Sequence, residues 1–159
     1  MEDGVISEAT PLTEQFEGFS ATPYPDPGSG GEPWTIGFGS TRLADGSVVG
    51  PHTPSISRAE AQALLQRDLR SALDQITSLV GVPLTVDELA ALDDFVYNEG
   101  VGNFARSTLL RMLNAGNYLG AADQLGRWVY GSGHLLPGLV RRRAAERTLF
   151  LRGMNDSPA

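Results

Sequence analysis

Residues 16–41 read FEGFSATPYPDPGSGGEPWTIGFGST. This segment places Glu17 at the end of a short amphipathic helix pattern, Asp26 in a turn rich in proline and glycine, and Thr35 in a strand-like run. The prolines and glycines between residues 23 and 39 exclude a helix through the segment. A helix followed by a β-hairpin would bring two carboxyl groups with different surroundings together, which acid/base cleavage of a glycosidic bond requires.

The surroundings of the three side chains suggest different roles. Glu17 lies in sequence beside Phe16 and near Phe19, and a carboxyl group among apolar side chains tends to keep its proton, as a general acid must. Asp26 lies among turn residues, where a charged carboxylate can orient or deprotonate a water. The Thr35 hydroxyl could hold that water from the facing strand. Alone, Glu17 would be interpreted as surface charge and Asp26 as a turn former, so the assignment depends on their occurring together.

The rest of the chain has the pattern of short helices. A first helix is predicted over about residues 8–18. Ser57-x-x-Glu60 and Thr85-x-x-Glu88 are capping boxes, and the first of them begins the longest helical pattern, which could link two lobes. Ser107 and Asn117 begin shorter helices. Asp45-Gly46 predicts a hairpin turn, a loop is expected at residues 131–133, and a last helix over 141–150 is expected to end at Gly153.

Composition and charge exclude several classes of protein. The 159 residues include no cysteine, and His52 and His134 lie far apart, so we expect no disulfide framework, no metal site and no cofactor. The net charge of −7 argues against non-specific binding of nucleic acid. No apolar run approaches the roughly 18 residues of a membrane span, and the N-terminus lacks the features of a signal peptide. We therefore expect a soluble protein, made in the cytoplasm and not inserted in a membrane.

The segment quoted above resembles the active-site signature of the phage-type lysozymes, glycoside hydrolase family 24. The similarity continues in ALDDFVYNEGVGNFARSTLLRMLNAGNY and in RWVYGSGHLLPGLVRRRAAERTLF, and extends over about residues 14–152. It implies that Glu17 is the general acid, Asp26 the base or water-positioning group and Thr35 the water-binding hydroxyl, with inversion of the anomeric centre. The carboxyl groups of an inverting pair lie roughly 6.5–9.5 Å apart.

The same resemblance suggests residues that bind substrate. Asn98 would line the cleft and contact sugar or peptide, although capping of the helix before Gly100 is a plain alternative. Arg142 or Arg143 would lie near the catalytic glutamate, and Arg142 is our candidate for substrate binding. Three consecutive arginines must face different sides of a helix, so one of them can point inward. Trp128 is expected in the core rather than under a sugar, and His134 in a loop.

Two positions depart from the family pattern. The gap between Asp26 and Thr35 is longer than the commonest form because of the added PGSGGEP run, which could reshape the lip of the cleft. Ser40 stands where many relatives have a histidine that forms a structural ion pair.

The fold that the resemblance implies is α+β, mainly α, and lysozyme-like. A single catalytic domain over residues 1–159 would contain a small β-hairpin lobe at about 20–56 and a larger helical lobe at about 1–19 and 57–153. A long helix would join the lobes, the active-site cleft would lie between them, and residues 154–159 would form a tail.

The expected function is hydrolysis of the β-1,4 bond between N-acetylmuramic acid and N-acetylglucosamine in bacterial peptidoglycan. Such an endolysin would be a metal-free monomer that stays in the host cytoplasm until a holin-type protein permeabilises the membrane, and would then act on the periplasmic wall. The alternative is a non-catalytic peptidoglycan- or chitin-binding module on the same fold. That alternative predicts loss of Glu17, Asp26 or Thr35, and none is lost. Within enzymes, chitin hydrolysis is the nearest competitor.

Overall fold

The computed structural model describes residues 1–156, and these are mainly helical with two small antiparallel sheets. The predicted α+β class, mainly α, is confirmed. A 3-10 turn at Leu125–Arg127 follows the sixth helix. In chain order the elements are α1 Glu2–Glu17, β1 Ser20–Tyr24, β2 Thr35–Gly37, α2 Arg58–Leu79, α3 Val86–Glu99, α4 Val101–Ala105, α5 Thr108–Asn114, α6 Tyr118–Gln124, β3 Tyr130–Gly131, β4 His134–Leu135 and α7 Pro137–Asp156.

The chain divides into two compact units, and both α1 and α2 pass through the division. Thr13–Asp68 form what we call the hairpin unit, and Met1–Leu12 with the chain from Leu69 onward form the helical unit. The lobe limits at residues 20 and 56 stay a prediction. No helix within residues 1–156 is long and apolar enough to cross a membrane.

In the hairpin unit, β1 and β2 pair antiparallel and pack on α2. Ser20 lies opposite Gly37 and Tyr24 opposite Thr35, with an irregular register between these pairs. Gly37 has a φ of 67°, and a Cβ there would lie 2.8 Å from the Cβ of Ala61 in α2. A side chain at position 37 would therefore push the strand off the helix. The core beside this contact contains Ile36, Val49 and Leu64, with Trp34, Leu43 and Ile56 packed against them.

Two local features of the hairpin unit follow from its sequence. The predicted Asp45-Gly46 turn is confirmed, because the amide of Leu43 donates to the carbonyl of Ser47 at 2.9 Å across it. Ser40 donates from its hydroxyl to Asp68 Oδ2 at 2.7 Å. Arg67 donates to the other oxygen of Asp68. Both oxygens of the Asp68 carboxylate thus accept hydrogen bonds, one from Ser40 and the other from Arg67.

The predicted helix starts are confirmed by their hydrogen bonds. In the first capping box, the amide of Ser57 donates to Glu60 Oε2 at 2.8 Å and the amide of Glu60 donates to the Ser57 hydroxyl at 3.1 Å. The box at Thr85 and Glu88 is complete in the same way. Ser107 caps α5. These side chains satisfy amides that a helix end leaves unpaired.

The helical unit is built on α3 and α7. The inward stripe predicted for α3, formed by Leu89, Leu92, Phe95 and Val96, is buried. The Phe95 ring meets Trp128 edge-on, with ring centroids 5.5 Å apart, and meets Phe104 at 6.3 Å. Trp128 therefore packs on the core of this unit, as expected.

Three local predictions were wrong. Helix α1 begins at Glu2 instead of residue 8 because Val5, Ile6 and Ala9 are buried, and this burial outweighs the break that Pro11 would suggest. His134 lies in β4, paired with Gly131, and not in a loop.

The third wrong prediction concerns the end of the last helix, because α7 continues through Gly153 to Asp156. A Cβ at position 153 would overlap the Thr85 hydroxyl and lie 3.0 Å from Asp87 Cβ and Glu88 Cγ. Gly153 therefore serves close packing of α7 on the start of α3 and does not stop the helix. Of the predicted tail at 154–159, residues 154–156 are helical and residues 157–159 lie outside the described residues.

This packing predicts that Gly153→Ala destabilises the protein although alanine favours a helix. The overlap should lower the free energy of unfolding by roughly 1–3 kcal/mol, as overpacking in a core does. Gly138→Ala in the same helix is the control, since its nearest atom outside its neighbours, Arg141 Nη2, is 3.9 Å away. Urea unfolding of both variants measures the difference, and equal midpoints would contradict the packing argument.

Candidate active site

Glu17, the predicted general acid, is the last residue of α1 and is half-buried. The helix ends there because Gly18, whose amide still donates to the carbonyl of Glu14 at 3.1 Å, has a φ of 70° and turns the chain off the helical path. Phe19 follows and packs on Phe38, with ring centroids 5.6 Å apart. The position of Glu17 is therefore set by a helix end and by an aromatic contact two residues later.

Asp26, the predicted base, lies two residues beyond the end of β1 and is held by its own loop. Its Oδ2 accepts hydrogen bonds from the amides of Gly28 at 3.1 Å and Ser29 at 3.0 Å. Its amide donates to the carbonyl of Gly31 at 3.0 Å, and its carbonyl accepts from the amide of Gly30 at 2.8 Å. Residues of the PGSGGEP run thus form a compact loop that fixes the direction of the Asp26 carboxylate.

Thr35, the predicted water-binding hydroxyl, is the first residue of β2 and lies opposite Tyr24 in β1. Its hydroxyl donates to the Tyr24 carbonyl at 3.4 Å. Because Asp26 follows Tyr24 by two residues, strand pairing brings Asp26 and Thr35 to the same end of the hairpin. All three predicted catalytic residues belong to the hairpin unit. Their roles stay predictions.

Asn98 and Arg142, the predicted substrate-binding residues, both belong to the helical unit. The Asn98 side-chain oxygen accepts a hydrogen bond from the Arg143 guanidinium. Arg142 is 4% exposed, and its Nε and Nη2 donate to the two oxygens of Asp94 at 2.9 and 2.8 Å. Both side chains thus have partners inside the unit, and contact with substrate stays a prediction for each.

Sequence reasoning missed a cluster of buried charged residues between α3 and α7. Arg143 Nη1 lies 3.2 Å from Glu146 Oε2, and its guanidinium lies 4.9 Å from the centre of the Phe95 ring. Burial lowers the pKa of Arg143 and raises the pKa of Glu146 well above its usual range. The available signal was the spacing of Glu146, three and four residues after two arginines, which places all three on neighbouring turns of α7.

Asp93 in α3 is a further buried carboxyl group of the helical unit. It is fully buried, and neither carboxylate oxygen has a hydrogen-bond partner within residues 1–156. Burial, and secondly the charge of Asp94, raise the pKa of Asp93 to about 8. The folded protein therefore holds a neutral carboxylic acid in the interior of the helical unit at neutral pH.

The raised pKa of Asp93 predicts a stability that falls as pH rises. The folded state keeps this proton up to about pH 8, whereas the unfolded chain loses it near the usual aspartate pKa of about 4. The stabilisation of the folded state by this proton is therefore complete below about pH 4. It is lost progressively up to about pH 8, by at most about 1.4 kcal/mol per pH unit.

Asp93→Leu tests this dependence. The variant should be more stable than the wild type at pH 7, because it removes an unsatisfied buried polar group, and its stability should fall less between pH 5 and 8. Urea unfolding across this range measures both effects. Asp74→Leu, at an exposed position of α2, is the control and should keep the wild-type slope. Equal slopes for Asp93→Leu and the wild type would contradict the prediction.

Comparison with known proteins defines the class to which this fold and site belong. Residues 14–146 match the phage lysozyme family. The chain therefore belongs to that family.

Individual relatives agree with this assignment. The SAR-endolysin of Escherichia phage Mu is 48% identical over 101 residues, which are 63% of this chain and 59% of that protein. The chain thus spans less than two thirds of that relative. Among solved structures, an endolysin from the Escherichia coli phage FAHEc1 superposes with a TM-score of 0.79 at 29% identity, covering 91% of this chain and 90% of that one. The muramidase domain of SpmX from Asticaccaulis excentricus gives a TM-score of 0.77 at 31% identity, covering 90% and 94%. These similarities confirm the lysozyme-like fold.

Proposed function

We propose that this chain is a lysozyme of glycoside hydrolase family 24 that acts as an endolysin. It would hydrolyse the β-1,4 bond between N-acetylmuramic acid and N-acetylglucosamine in peptidoglycan. The observation that best supports this is the presence of Glu17, Asp26 and Thr35 together in the hairpin unit of a phage lysozyme family member. The muramidase domain among the similar structures supports the choice of bond.

In the proposed reaction, Glu17 protonates the glycosidic oxygen as the bond to the anomeric carbon breaks. Asp26 takes a proton from a water on the opposite face of the sugar. With Oδ2 bound by two amides, Oδ1 is the oxygen that would accept this proton. The Thr35 hydroxyl donates to the Tyr24 carbonyl, so its oxygen lone pairs can accept a hydrogen bond from the water. Attack from the opposite face inverts the anomeric centre.

Glu17→Gln is expected to abolish lysis of bacterial cells whose outer membrane has been stripped. Glutamine keeps the shape of the side chain but supplies no acidic proton, so the rate should fall at least about a hundredfold. Glu14→Gln, one turn earlier in α1, loses only a charge that accepts a hydrogen bond from Gln62 and should lyse like the wild type. Turbidity loss of the cell suspension is the measurement.

The same assay distinguishes the alternatives. Equal lysis by wild type and a folded Glu17→Gln would remove Glu17 from the site. If neither protein lyses cells but both sediment with purified peptidoglycan, the chain is a binding module. Cleavage of chitooligosaccharides without cleavage of peptidoglycan would make it a chitinase.

Thr35 can be tested by separating its hydroxyl from its branched shape. Thr35→Val keeps the shape and should lower the rate roughly tenfold to a hundredfold, because the water loses its orientation. Thr35→Ser keeps the hydroxyl and should retain most activity. Proton NMR of the first product, which reports the anomer formed, tests inversion in the same experiment. A fully active Thr35→Val would contradict the assignment.

We also propose the cellular setting. The protein would be a monomer that accumulates in the host cytoplasm and reaches the periplasmic wall after a holin-type protein opens the membrane. Expression in bacteria with and without such a protein tests this, because lysis should require it. Lysis by the chain alone would show that another route to the wall exists.

A further inference from the structure

The chain immediately after Glu17 contacts an arginine and a second aromatic ring. The Phe19 and Phe38 rings are tilted by 47° with centroids 5.6 Å apart. The guanidinium carbon of Arg58 lies 5.6 Å from the centre of the Phe19 ring and 5.3 Å from that of Phe38. One cation therefore contacts the faces of both rings, in the range where cation–π attraction operates. We call these three residues the Arg58 cluster.

The cluster joins the segments that hold two of the proposed catalytic residues. Phe19 follows Glu17 by two residues, and Phe38 follows Thr35 by three. Phe38 is 1% exposed and so cannot move without disturbing the core, whereas Phe19 is 38% exposed and contacts both Phe38 and Arg58. This contact therefore helps to position the chain that leaves α1, together with the pairing of Ser20 with Gly37.

Helix formation does not account for an arginine at this position. Arg58 is the first residue of α2, where the helix dipole disfavours a cation. Its neighbours in the capping box, Ser57 and Glu60, already satisfy the helix start. Arg58 is exposed and forms no ion pair within residues 1–156. Its contacts with the two rings are the interaction that the structure assigns to its guanidinium.

We propose that Arg58 is a positioning residue for the proposed hydrolysis, which holds Phe19 on Phe38 and thereby fixes Glu17 relative to the strand that carries Thr35. This inference rests on the proposed function. A cation over a half-exposed ring adds little to overall stability. A general acid, however, must lie within hydrogen-bond reach of the glycosidic oxygen, and a displacement of about 1 Å can cost roughly a hundredfold in rate.

The test compares Arg58→Gln with Arg58→Lys on soluble, uncross-linked peptidoglycan strands. Glutamine removes the cation, and kcat should fall roughly fivefold to tenfold, as loss of one cation–π contact implies. KM and the melting temperature should stay close to wild type. Lysine keeps a cation over the rings and should restore at least half of kcat. Arg70→Gln on the same helix removes a half-buried arginine paired with Glu2 and Asp3 and should leave kcat unchanged.

Phe19→Leu provides the second variant, because it keeps an apolar side chain and removes the ring. If Arg58 acts through this ring, Phe19→Leu combined with Arg58→Gln should lower kcat no further than the larger single effect. The limbs of the pH profile of kcat/KM should not move, because Arg58 orders the chain and does not exchange a proton.

Several results would overturn the inference. One is a wild-type kcat in Arg58→Gln, and another is a loss of kcat that equals the fraction of unfolded protein. Additive losses of kcat in the double variant, or a shifted pH profile of kcat/KM, would also overturn it. Failure of this inference alone would appear as an active wild type and an inactive Glu17→Gln beside a fully active Arg58→Gln. An inactive wild type would instead overturn the proposed function and this inference with it.

Discussion

Strands β1 and β2 pair so that Tyr24 lies opposite Thr35, and the candidate site depends on this contact. The chain reverses direction through the loop from Asp26 to Glu32, which closes on itself through amides and carbonyls of its own residues. The strand packs directly on α2, because Gly37 contacts Ala61 at a distance that leaves no space for a side chain. Pairing on one side and helix packing on the other leave Thr35 and Asp26 with one relative position. A proposed acid/base site of this kind needs such fixed positions more than it needs any single strong interaction.

The helical unit contains buried ion pairs, which carry a desolvation penalty. Arg142 and Asp94 are paired in the interior by two hydrogen bonds, and Arg143 and Glu146 lie beside them. Buried ion pairs of this kind contribute little net stability, because desolvation offsets their attraction, but removing one partner is expensive. A two-point contact between α3 and α7 also allows only one register between the helices, which apolar packing alone would not enforce. Specification of that register is our hypothesis for why charges are retained there.

Local features of the fold could be predicted from the sequence, and non-local ones could not. The capping boxes at Ser57 and Thr85 and the Asp45-Gly46 turn depend on residues within four positions of each other, so their patterns are visible in the chain. The continuation of α7 through Gly153 depends on the start of α3, more than sixty residues earlier, and no local pattern reports it. The burial of Asp93 was likewise invisible, because an aspartate on a helix is ordinarily exposed.

The candidate site shows the same division. Glu17, Asp26 and Thr35 could be selected because they lie within one short segment that resembles a known signature. Arg58 could not be selected, since its partners Phe19 and Phe38 lie 39 and 20 residues away and the contact requires the hairpin to be folded on α2. Its position does, however, break a local rule, because a cation at a helix start is unfavourable. A residue that violates local preference without a local benefit is a reason to look for a distant contact, and here that contact lies beside the proposed acid.

The two proposed catalytic carboxyl groups are held by different means. The Asp26 carboxylate is oriented by the amides of Gly28 and Ser29, and its backbone bonds to Gly30 and Gly31, so its geometry is a property of one loop. Glu17 stands at the end of α1, and the chain that follows is held by the contact of Phe19 with Phe38 and by the pairing of Ser20 with Gly37. The base therefore keeps its direction even if neighbouring elements shift, whereas the acid depends on contacts between α1, the hairpin and α2. Substitutions that loosen the hairpin unit should consequently impair proton donation before they impair activation of water.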